Sequence, residues 1–306
     1  MKYFVLPHTD LKVSRLALGC MRIADKSEDE VEKLILTALD YGINFFDHAD
    51  IYGGGKSESL FGEVLKKHPE LREKMIIQTK CGIVPGKRYD FSKEHIINSV
   101  HQSLERLNVD YVDILLLHRP DALCDPKEVA EALNELYESG KVKYFGVSNH
   151  TPLQIQLLQK FVKYPIIINQ LQLSIVHSVM IDSGLNMNMK ENWAQDKDGG
   201  VLDYCRLNDI TIQPWSVVQA SWAEGTFLNN PDYQKLNDVM NDLANEYHVT
   251  KSAIAIAWLL RHPACMQPIL GTTSCEHLKE MVQAIDVELT RQQWYDLYLA
   301  SDKPLP

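Results

Sequence analysis

An eightfold alternation of short apolar runs with helix-like segments is the feature that most restricts the fold of this chain. Apolar runs this short and this continuous are typical of strands that are buried on both faces, as in a parallel sheet. The sequence therefore predicts eight parallel strands, in the runs SRLALGC (14–20), INFFDHA (43–49), MIIQTKC (75–81), VDILLLH (112–118), YFGVSN (144–149), PIIINQL (165–171), ITIQPWS (210–216) and MQPILG (266–271).

The segments between the runs carry the start signals of helices. Ser27, Ser92 and Thr151 begin three of them, and Pro126 stands near the start of a fourth. Ser and Thr cap helix N-termini, and Pro is tolerated in the first turn. The stretch 231–262 is long enough for two helices, with a break near HVTKS. Each apolar run is thus predicted to be followed by helical structure.

Alternation of this kind forms either a closed (β/α)8 TIM barrel or an open doubly wound sheet. The barrel is favoured because the strand count is eight and because the first run is not followed by the G-x-G-x-x-G turn of a dinucleotide-binding sheet. We therefore predict an α/β fold in which residues 1–306 form a single (β/α)8 TIM barrel domain. Residues 1–13 are predicted to form a short hairpin, turning at Pro7–Asp10, at the barrel bottom.

Charge and composition argue against several classes of partner. Asp plus Glu exceed Lys plus Arg by 41 to 31, and a formal charge of -10 disfavours sequence-independent nucleic-acid binding. No apolar run is long enough to span a membrane, and no basic amphipathic segment suits a membrane surface. The chain begins without a signal-peptide stretch, and its 6 cysteines show no C-x-x-C spacing. We expect reduced thiols, a cytoplasmic location and, by default, a monomer.

Polar side chains collect at the ends of the predicted strands. The active sites of (β/α)8 barrels lie at the C-terminal ends of the strands. The barrel prediction therefore brings these side chains to one mouth: Asp47, Lys80, His118, Ser148 with Asn149, Gln170, Trp215 with Ser216, and Gly271 with Thr272.

Tyr52, Lys80, Asp47 and His118 together can give a proton to a carbonyl oxygen near neutral pH. The pKa of a free Tyr is about 10; an ammonium at Lys80 would lower it, and Asp47 would hold that ammonium charged. His118 would orient the carbonyl or join the proton path. Taken singly, each residue also fits a structural role, such as a cap, an ion pair, loop packing or a core histidine. Their joint occurrence at three strand ends favours catalysis.

This proton chemistry leaves the hydride to a cofactor. Trp215 offers a flat platform for an aromatic ring, and Gln170 with Ser148 and Asn149 offers partners for a carboxamide. The segment GTTSCEHLKE (271–280) places hydroxyls before a helix N-terminus, which can bind phosphate through free backbone N–H groups. Core packing, a turn and an ordinary N-cap are the alternative interpretations of these features.

Together these residues resemble the aldo-keto reductase family, and the first matching segment has the form found in bacterial members with the DHADIYGG motif. The resemblance covers nearly the whole chain and implies an NADP(H)-linked reductase on a (β/α)8 barrel that works without a metal. The matching segments are DHADIYGGGKSE (47–58), QTKCG (78–82), LLLHRPD (115–121), FGVSNH (145–150), INQLQLS (168–174) and PILGTTSCEHL (268–278).

The resemblance also implies a role for each matching residue. Tyr52 matches the proton donor, Lys80 and Asp47 its supporting pair, and His118 the residue that orients the substrate. Trp215 stands where the family usually has the Tyr that stacks on the nicotinamide. The residues implied to contact the cofactor are Met21, Asp47, Ser148, Asn149, Gln170, Trp215, Ser216, Gly271, Thr272, Thr273, His277 and Glu280.

The segment 271–281, which is expected to contact the phosphate end of the cofactor, departs from the family pattern. Gly271 and His277 stand where many NADPH-specific members have Lys and Arg, and Met281 stands where the family has Asn beside the adenine. Arg grips a 2′-phosphate bidentately, which His does not. NADP(H) is the favoured cofactor, with Thr272 and His277 as its expected contacts, and NAD(H) is left open.

The chain stops at SDKPLP soon after its last predicted helix. Members with large hydrophobic substrates often have a longer C-terminal loop, so the resemblance implies a more open mouth. The segment 177–200 is long for a barrel loop, and loops of this length are often functional. We expect this segment, together with Trp193 and Trp222, to wall the mouth.

The sequence thus predicts a reductase of aldehydes or ketones, without naming the carbonyl compound. One alternative is a barrel lyase that uses Lys80 as a Schiff-base nucleophile. Another is a cofactor-sensing regulatory protein with residual reductase activity. A metal hydrolase using His48, Asp50 and His118 is the weakest alternative, because H-x-D alone is not a ligand set.

Overall fold

The computed structural model describes residues 1–190, 194–221, 223–303 and 305. Eight parallel strands form a near-closed barrel, which confirms the predicted (β/α)8 fold. Each predicted run coincides with one strand. Six strands lie within their runs and are shorter by one to four residues, whereas the fifth begins two residues before its run and the sixth ends one residue after its run. The strands are β1 (Ala17–Gly19), β2 (Phe45–Asp47), β3 (Ile76–Cys81), β4 (Val112–Leu117), β5 (Val142–Ser148), β6 (Ile166–Gln172), β7 (Thr211–Trp215) and β8 (Ile269–Leu270).

Each barrel strand pairs with its neighbours in chain order, and β8 pairs with β1. The seam between β7 and β8 is joined by the backbone N–H of Gln267, which donates to the carbonyl oxygen of Ile212 at 3.0 Å. This order brings the C-terminal ends of the strands to one rim, where the predicted site residues lie.

Helices cover the outside of the barrel. The capping predictions are confirmed at Ser27 and Thr151, which form capping boxes, and at Ser92, whose hydroxyl accepts from the backbone N–H of His95. The helices are α1 (Glu28–Asp40), α2 (Lys56–Lys67), α3 (Lys93–Leu107), α4 (Pro126–Glu138), α5 (Pro152–Gln159), α6 (Val179–Leu185), α7 (Val201–Leu207), α8 (Gln234–Tyr247), α9 (Lys251–Arg261), α10 (Cys275–Val282) and α11 (Arg291–Ala300).

Short elements complete the two ends of the barrel. At the bottom, Tyr3–Val5 pairs antiparallel with Lys12–Ser14, and the buried Leu6 and Val13 of this hairpin pack against apolar residues from the starts of the barrel strands. At the mouth, Ile83–Val84 pairs with Arg88–Tyr89 after β3, and Gln219–Ser221 pairs with Gly225–Thr226 after β7. The predicted N-terminal hairpin is therefore present at the bottom.

The segment 177–200 contains α6, and its described residues do not line the barrel mouth. Some of them line a second cavity of about 630 Å³, together with residues from α7, the end of α9 and α11. Trp193 and Trp222, which we also expected at the mouth, lie outside the described residues. In the part of the chain that the structure describes, no helix is both long and apolar enough to cross a membrane.

Candidate active site

A buried ion pair stands at the centre of the barrel mouth. Asp47 is the last residue of β2, and Lys80 is the fifth residue of β3. The Nζ of Lys80 lies 2.9 Å from the Asp47 carboxylate, and the two residues are 0% and 2% exposed. The same Nζ lies 3.0 Å from the hydroxyl of Tyr52 and 2.7 Å from the carbonyl oxygen of His48. One ammonium group therefore joins Asp47 to Tyr52.

The charges of this trio follow from its burial and its contacts. Burial alone would lower the pKa of Lys80, but Asp47 and then Tyr52 outweigh it and raise that pKa above its ordinary value. Burial raises the pKa of Tyr52, and the Lys80 ammonium opposes this shift without reversing it. We expected the ammonium to lower that pKa, and the difference arises because the desolvation of the phenolate is the larger effect. Tyr52 therefore keeps its proton at neutral pH.

His118 follows β4 and faces the phenol. Its ring is nearly perpendicular to that of Tyr52, with 6.0 Å between the ring centroids. Burial, helped by the charges of Lys80 and Arg119, holds the pKa of His118 well below its ordinary value. Its buried Nδ1 has no hydrogen-bond partner among the described residues. The structure thus brings Asp47, Lys80, Tyr52 and His118 together, with the imidazole neutral.

The Asp47 carboxylate has two further donors, one of which the sequence analysis missed. The Nε2 atoms of Gln78 and Gln170 donate to its Oδ1 at 2.6 Å and 3.0 Å. Gln78 is two residues before Lys80 on the same strand, so both side chains point to the barrel interior. That spacing is the signal that identifies Gln78 from the sequence.

A chain of buried amides continues from these two residues towards the barrel bottom. The Oε1 of Gln213 accepts from Gln78 at 2.9 Å and from Gln170 at 3.1 Å. The Nε2 of Gln213 donates to Gln267 at 2.8 Å, and Gln267 donates to the carbonyl oxygen of Ser14 at 2.7 Å. Because a carbonyl can only accept, the Ser14 oxygen sets the orientation of every amide up to Asp47.

Beside the ion pair, the ends of β5 to β7 form a second group of linked side chains. The hydroxyl of Ser148 donates to the backbone oxygen of Gln170 at 3.0 Å and accepts from Asn149 at 2.8 Å. The indole N–H of Trp215 donates to Asn149 at 3.3 Å. Asn149 and Ser216 have left-handed backbones, with φ of 60° and 57°. These bonds fix the plane of the half-buried indole at the side of the mouth.

Seven of these residues line a single cleft of about 760 Å³: Asp47, Tyr52, His118, Ser148, Asn149, Gln170 and Trp215. The buried Gln78, Gln213 and Gln267 are not part of its lining. Lys80 lies beneath the cleft and contacts it through Tyr52. The lining also contains Met21, Ser216, Gly271 and Thr272, for which the family resemblance implies contact with the cofactor. Thr273, His277 and Glu280 were expected to contact a cofactor but lie outside this lining, on the segment that leads into α10 and on α10 itself. His277 is exposed.

Two arginines of the cleft were missed by the sequence analysis. Arg22 follows the expected Met21 and donates from Nη1 to the carbonyl oxygen of Gly271 at 3.0 Å. Arg119 follows His118, and its guanidinium carbon lies 5.9 Å from the centre of the Trp215 ring. The remaining lining is mostly apolar. It comes from the loops after β2, β3 and β7, including Ile51, Ile83 and residues 217–218, and from Gly19, Ile269 and Met281.

A buried cluster behind Tyr52 holds its loop in place. Glu58 of α2 is fully buried and accepts from Thr79 of β3 at 2.6 Å and from Arg106 of α3 at 2.9 Å. A side chain at Gly55 would meet Arg106 at 2.9 Å, and the φ of 93° at that residue also favours glycine. Burial, reinforced by Glu58, raises the pKa of nearby Asp50 to about 7.

His48 is a core residue in this structure. Its ring packs edge-on against Phe61 with 4.5 Å between the ring centroids, and both of its nitrogens lack partners among the described residues. Burial lowers the pKa of His48 to about 3. Among the described residues, no group of three or more His, Cys, Asp or Glu side chains is arranged to hold a metal ion.

Comparisons with known proteins agree with this architecture. The sequence model of the aldo/keto reductase family matches residues 15–298. Oxidoreductase YdhF of Escherichia coli is 37% identical over 300 residues, covering 94% of this chain and 93% of that protein. A 6-dehydroglucose reductase of Agrobacterium fabrum is 37% identical over 300 residues, covering 94% of each.

Solved structures give the same result. The crystal structure of the thermostable aldo-keto reductase Tm1743, in complex with the inhibitor epalrestat, covers 98% of this chain and 100% of its own, with a TM-score of 0.79 at 25% identity. The family match spans almost the entire barrel, and both relatives named above are oxidoreductases. The chain therefore belongs to the aldo/keto reductase family and is an oxidoreductase that reduces carbonyl compounds with a nicotinamide cofactor.

Proposed function

We propose that Tyr52 is the proton donor in the reduction of an aldehyde or ketone to an alcohol. The observation that carries this assignment is the single ammonium that contacts both Asp47 and Tyr52 beneath the cleft. Because Tyr52 keeps its proton at neutral pH, it can give that proton to an oxygen that gains negative charge. The Lys80 ammonium, held charged by Asp47, then stabilises the phenolate that is left.

The neutral His118 is proposed to orient the substrate carbonyl across from Tyr52. A neutral imidazole can donate one hydrogen bond to the carbonyl oxygen without adding a charge to the site. The bound cofactor would supply the hydride to the carbonyl carbon. The protein residues would then handle only the proton and the position of the carbonyl group.

The residues beside the ion pair fit a nicotinamide. Both amide hydrogens of Gln170 are donated into the barrel, to Asp47 and to Gln213. Its Oε1 accepts no hydrogen bond from the described residues, which leaves an acceptor for a carboxamide at the cleft. The fixed indole of Trp215 provides a flat face for stacking, as the family resemblance implies for this position. We propose that Ser148 and Asn149 complete this subsite by holding Gln170 and Trp215 in place.

NADP(H) is the cofactor that we propose, with NAD(H) still open. The phosphate end lacks Lys at 271 and Arg at 277, but Arg22 places a guanidinium beside Gly271. Titration with NADPH and with NADH, followed by tryptophan fluorescence, measures the preference directly. We expect NADPH to bind more tightly, and Arg22→Leu to weaken its binding. Equal affinities for the two cofactors would contradict the proposed preference.

Substitution of Tyr52 by Phe tests the proton donor. The variant loses only the hydroxyl, so we expect carbonyl reduction to fall by roughly 10²–10⁴-fold while NADPH binding is retained. Tyr137→Phe, on the exposed side of α4, is the matched control. Full activity of Tyr52→Phe would show that another group gives the proton.

The state of Lys80 disfavours the alternative of a barrel lyase that forms a Schiff base. A lysine attacks a carbonyl through its neutral amine, and Lys80 is fully buried with a raised pKa and three hydrogen-bond partners. A measurement of turnover distinguishes the reductase from a cofactor-sensing regulatory protein, because a sensor binds the cofactor tightly and reduces substrates poorly. Rapid multiple turnover of an aldehyde would favour the reductase.

Four finer expectations stay predictions. They are the affiliation with bacterial members that carry the DHADIYGG motif, the organisation of residues 1–306 as one domain, the cytoplasmic location and the monomeric state. Size-exclusion chromatography with light scattering measures the last of these.

A further inference from the structure

We propose that the substrates which this site reduces best carry a carboxylate, and that Arg119 binds it beside the reacting carbonyl. The inference rests on the proposed reductase function and adds to it the chemical class of the substrate. It depends on where Arg119 lies, on which partners it has, and on how charge is distributed along the cleft.

Arg119 lies at the substrate end of the cleft. It directly follows His118 at the end of β4, and both residues line the cleft together with Tyr52. Its guanidinium carbon is 5.9 Å from the centre of the Trp215 ring. The charge of Arg119 also contributes to the lowered pKa of His118, so a carbonyl group held between Tyr52 and His118 would lie near this guanidinium.

Apart from the Trp215 ring, the guanidinium has no hydrogen-bond or ion-pair partner in the described part of the chain. The acidic residue closest to it in sequence, Asp121, accepts instead from the backbone N–H groups of Phe91 and Leu123, both at 2.9 Å. A guanidinium presents several donors in a planar fork that matches a carboxylate. A half-buried and unpaired fork in a cleft is thus suited to an anionic ligand group.

The distribution of charge along the cleft supports the same conclusion. The charged side chains of the lining are Arg22, Asp47 and Arg119. Lys80 neutralises Asp47, and Arg22 is held at Gly271, the proposed phosphate end. The substrate end therefore carries the positive charge of Arg119, although the whole chain has a formal charge of -10. A local positive field of this kind attracts anionic substrates and repels cationic ones.

Matched pairs of aldehydes test this inference. We would measure kcat/KM with NADPH for 4-carboxybenzaldehyde against benzaldehyde, and for 4-oxobutanoate against butanal. The wild-type protein should prefer the carboxylate member of each pair by about 10- to 100-fold, the range of a charged hydrogen-bonded pair. Arg119→Leu should abolish the preference, and Arg119→Lys should keep part of it because the charge remains without the fork.

Arg206→Leu is the control for a general change in charge. Arg206 is exposed on α7, next to the hairpin at the other end of the barrel, and should leave the ratio unchanged. The preference should also fall as salt screens the charge. Because the readout is a ratio of two substrates, a variant that merely loses active protein does not alter it.

Several outcomes overturn the inference. Equal kcat/KM values within each pair for the wild-type protein would do so, and so would a preference that survives in Arg119→Leu. A loss of NADPH affinity in Arg119→Leu that affects both members alike would assign Arg119 to the cofactor instead. If the wild-type protein binds NADPH but reduces no member of either pair, it is the proposed function that fails.

Discussion

The buried Asp47–Lys80 pair predicts a strongly non-additive effect on stability. Lys80→Met leaves a carboxylate that is 2% exposed without its counter-ion, and Asp47→Asn leaves an ammonium that is 0% exposed. The double variant Asp47→Asn/Lys80→Met removes both charges. Each single variant should therefore unfold more easily than the double variant.

The size of the effect follows from the geometry. At 2.9 Å and an effective dielectric constant of about 20, two unit charges attract by about 6 kcal/mol, which offsets the desolvation of both ions. Removing one partner of such a pair costs about 3–5 kcal/mol. We expect Lys80→Met near the lower end, because Gln78 and Gln170 still donate to Asp47. Replacing both charges should cost less than either single change.

Thermal unfolding followed by circular dichroism measures this. For a chain of 306 residues, a loss of about 3–5 kcal/mol corresponds to a fall in Tm of roughly 5–8 °C. Lys93→Met breaks an exposed ion pair with Glu135 and is the matched control, because such pairs contribute little to stability. The reasoning would be refuted if the double variant lost as much stability as a single variant, or as much as the two single variants together.

The pH dependence of Asp47→Asn gives a second check. In the wild-type protein the folded-state pKa of Lys80 is raised, so the contribution of this group is fully present below the unfolded value of about 10.4 and is lost only at higher pH. Without Asp47, burial would dominate and the folded-state pKa would fall below the unfolded value. The unfolded state would then bind more protons, so the stability of Asp47→Asn should rise between neutral pH and about pH 10. A flat profile for this variant would contradict the burial of the ammonium.

Three further predictions concern single residues. Burial raises the pKa of Asp50 to about 7, so the stability of the wild-type protein falls between about pH 4 and pH 7 as this buried group ionises. Asp50→Asn should therefore raise the free energy of unfolding by up to about 4 kcal/mol above pH 7 and by little near pH 4. Equal gains at the two pH values, measured by denaturant unfolding, would contradict this prediction. The value of kcat/KM should not fall as the pH is lowered through about 6.5, because the pKa of His118 is held well below its ordinary value. A fall near about pH 6.5 that disappears in His118→Gln would refute this prediction. Gln78→Leu should lower kcat by about 10-fold and leave NADPH affinity unchanged, because Asp47 loses a hydrogen-bond donor at 2.6 Å. Steady-state kinetics measures kcat, and fluorescence titration measures the affinity for NADPH. An unchanged kcat would show that Gln78 only fills space.

The barrel was predictable because its signals are local and repeated. Each strand is a run of a few apolar residues, and most of the helices begin at a residue whose side chain caps the first turn. The segment 177–200 was not predictable in the same way, since the Asn, Asp, Met and Gly residues of this segment give no period. Described residues of this segment line a separate cavity with α11 and do not line the mouth.

Within the site, the sequence predicted the residues at strand ends better than their neighbours. His118, at the end of its predicted run, was expected at the mouth, and Met21 was expected to contact the cofactor because of the family resemblance, whereas their chain neighbours Arg119 and Arg22 were not expected there. Within a strand the period of two assigns a face to every side chain, but it does not extend into the loop that follows. The direction in which the pKa of Tyr52 is shifted could not be predicted from the sequence either, because it depends on the balance between burial and the charge of Lys80.

The buried glutamines show why a polar interior accompanies this site. Gln78, Gln213 and Gln267 interrupt runs that otherwise predict apolar strands, and all three are fully buried. A buried charge pair needs hydrogen bonds for the carboxylate lone pairs that its counter-ion does not occupy. The glutamines that bond Asp47 need partners in turn, and the chain of amides continues until Gln267 reaches the backbone oxygen of Ser14. Because Ser14 belongs to the N-terminal hairpin, the orientation of the Asp47 carboxylate is linked to an element at the opposite end of the barrel.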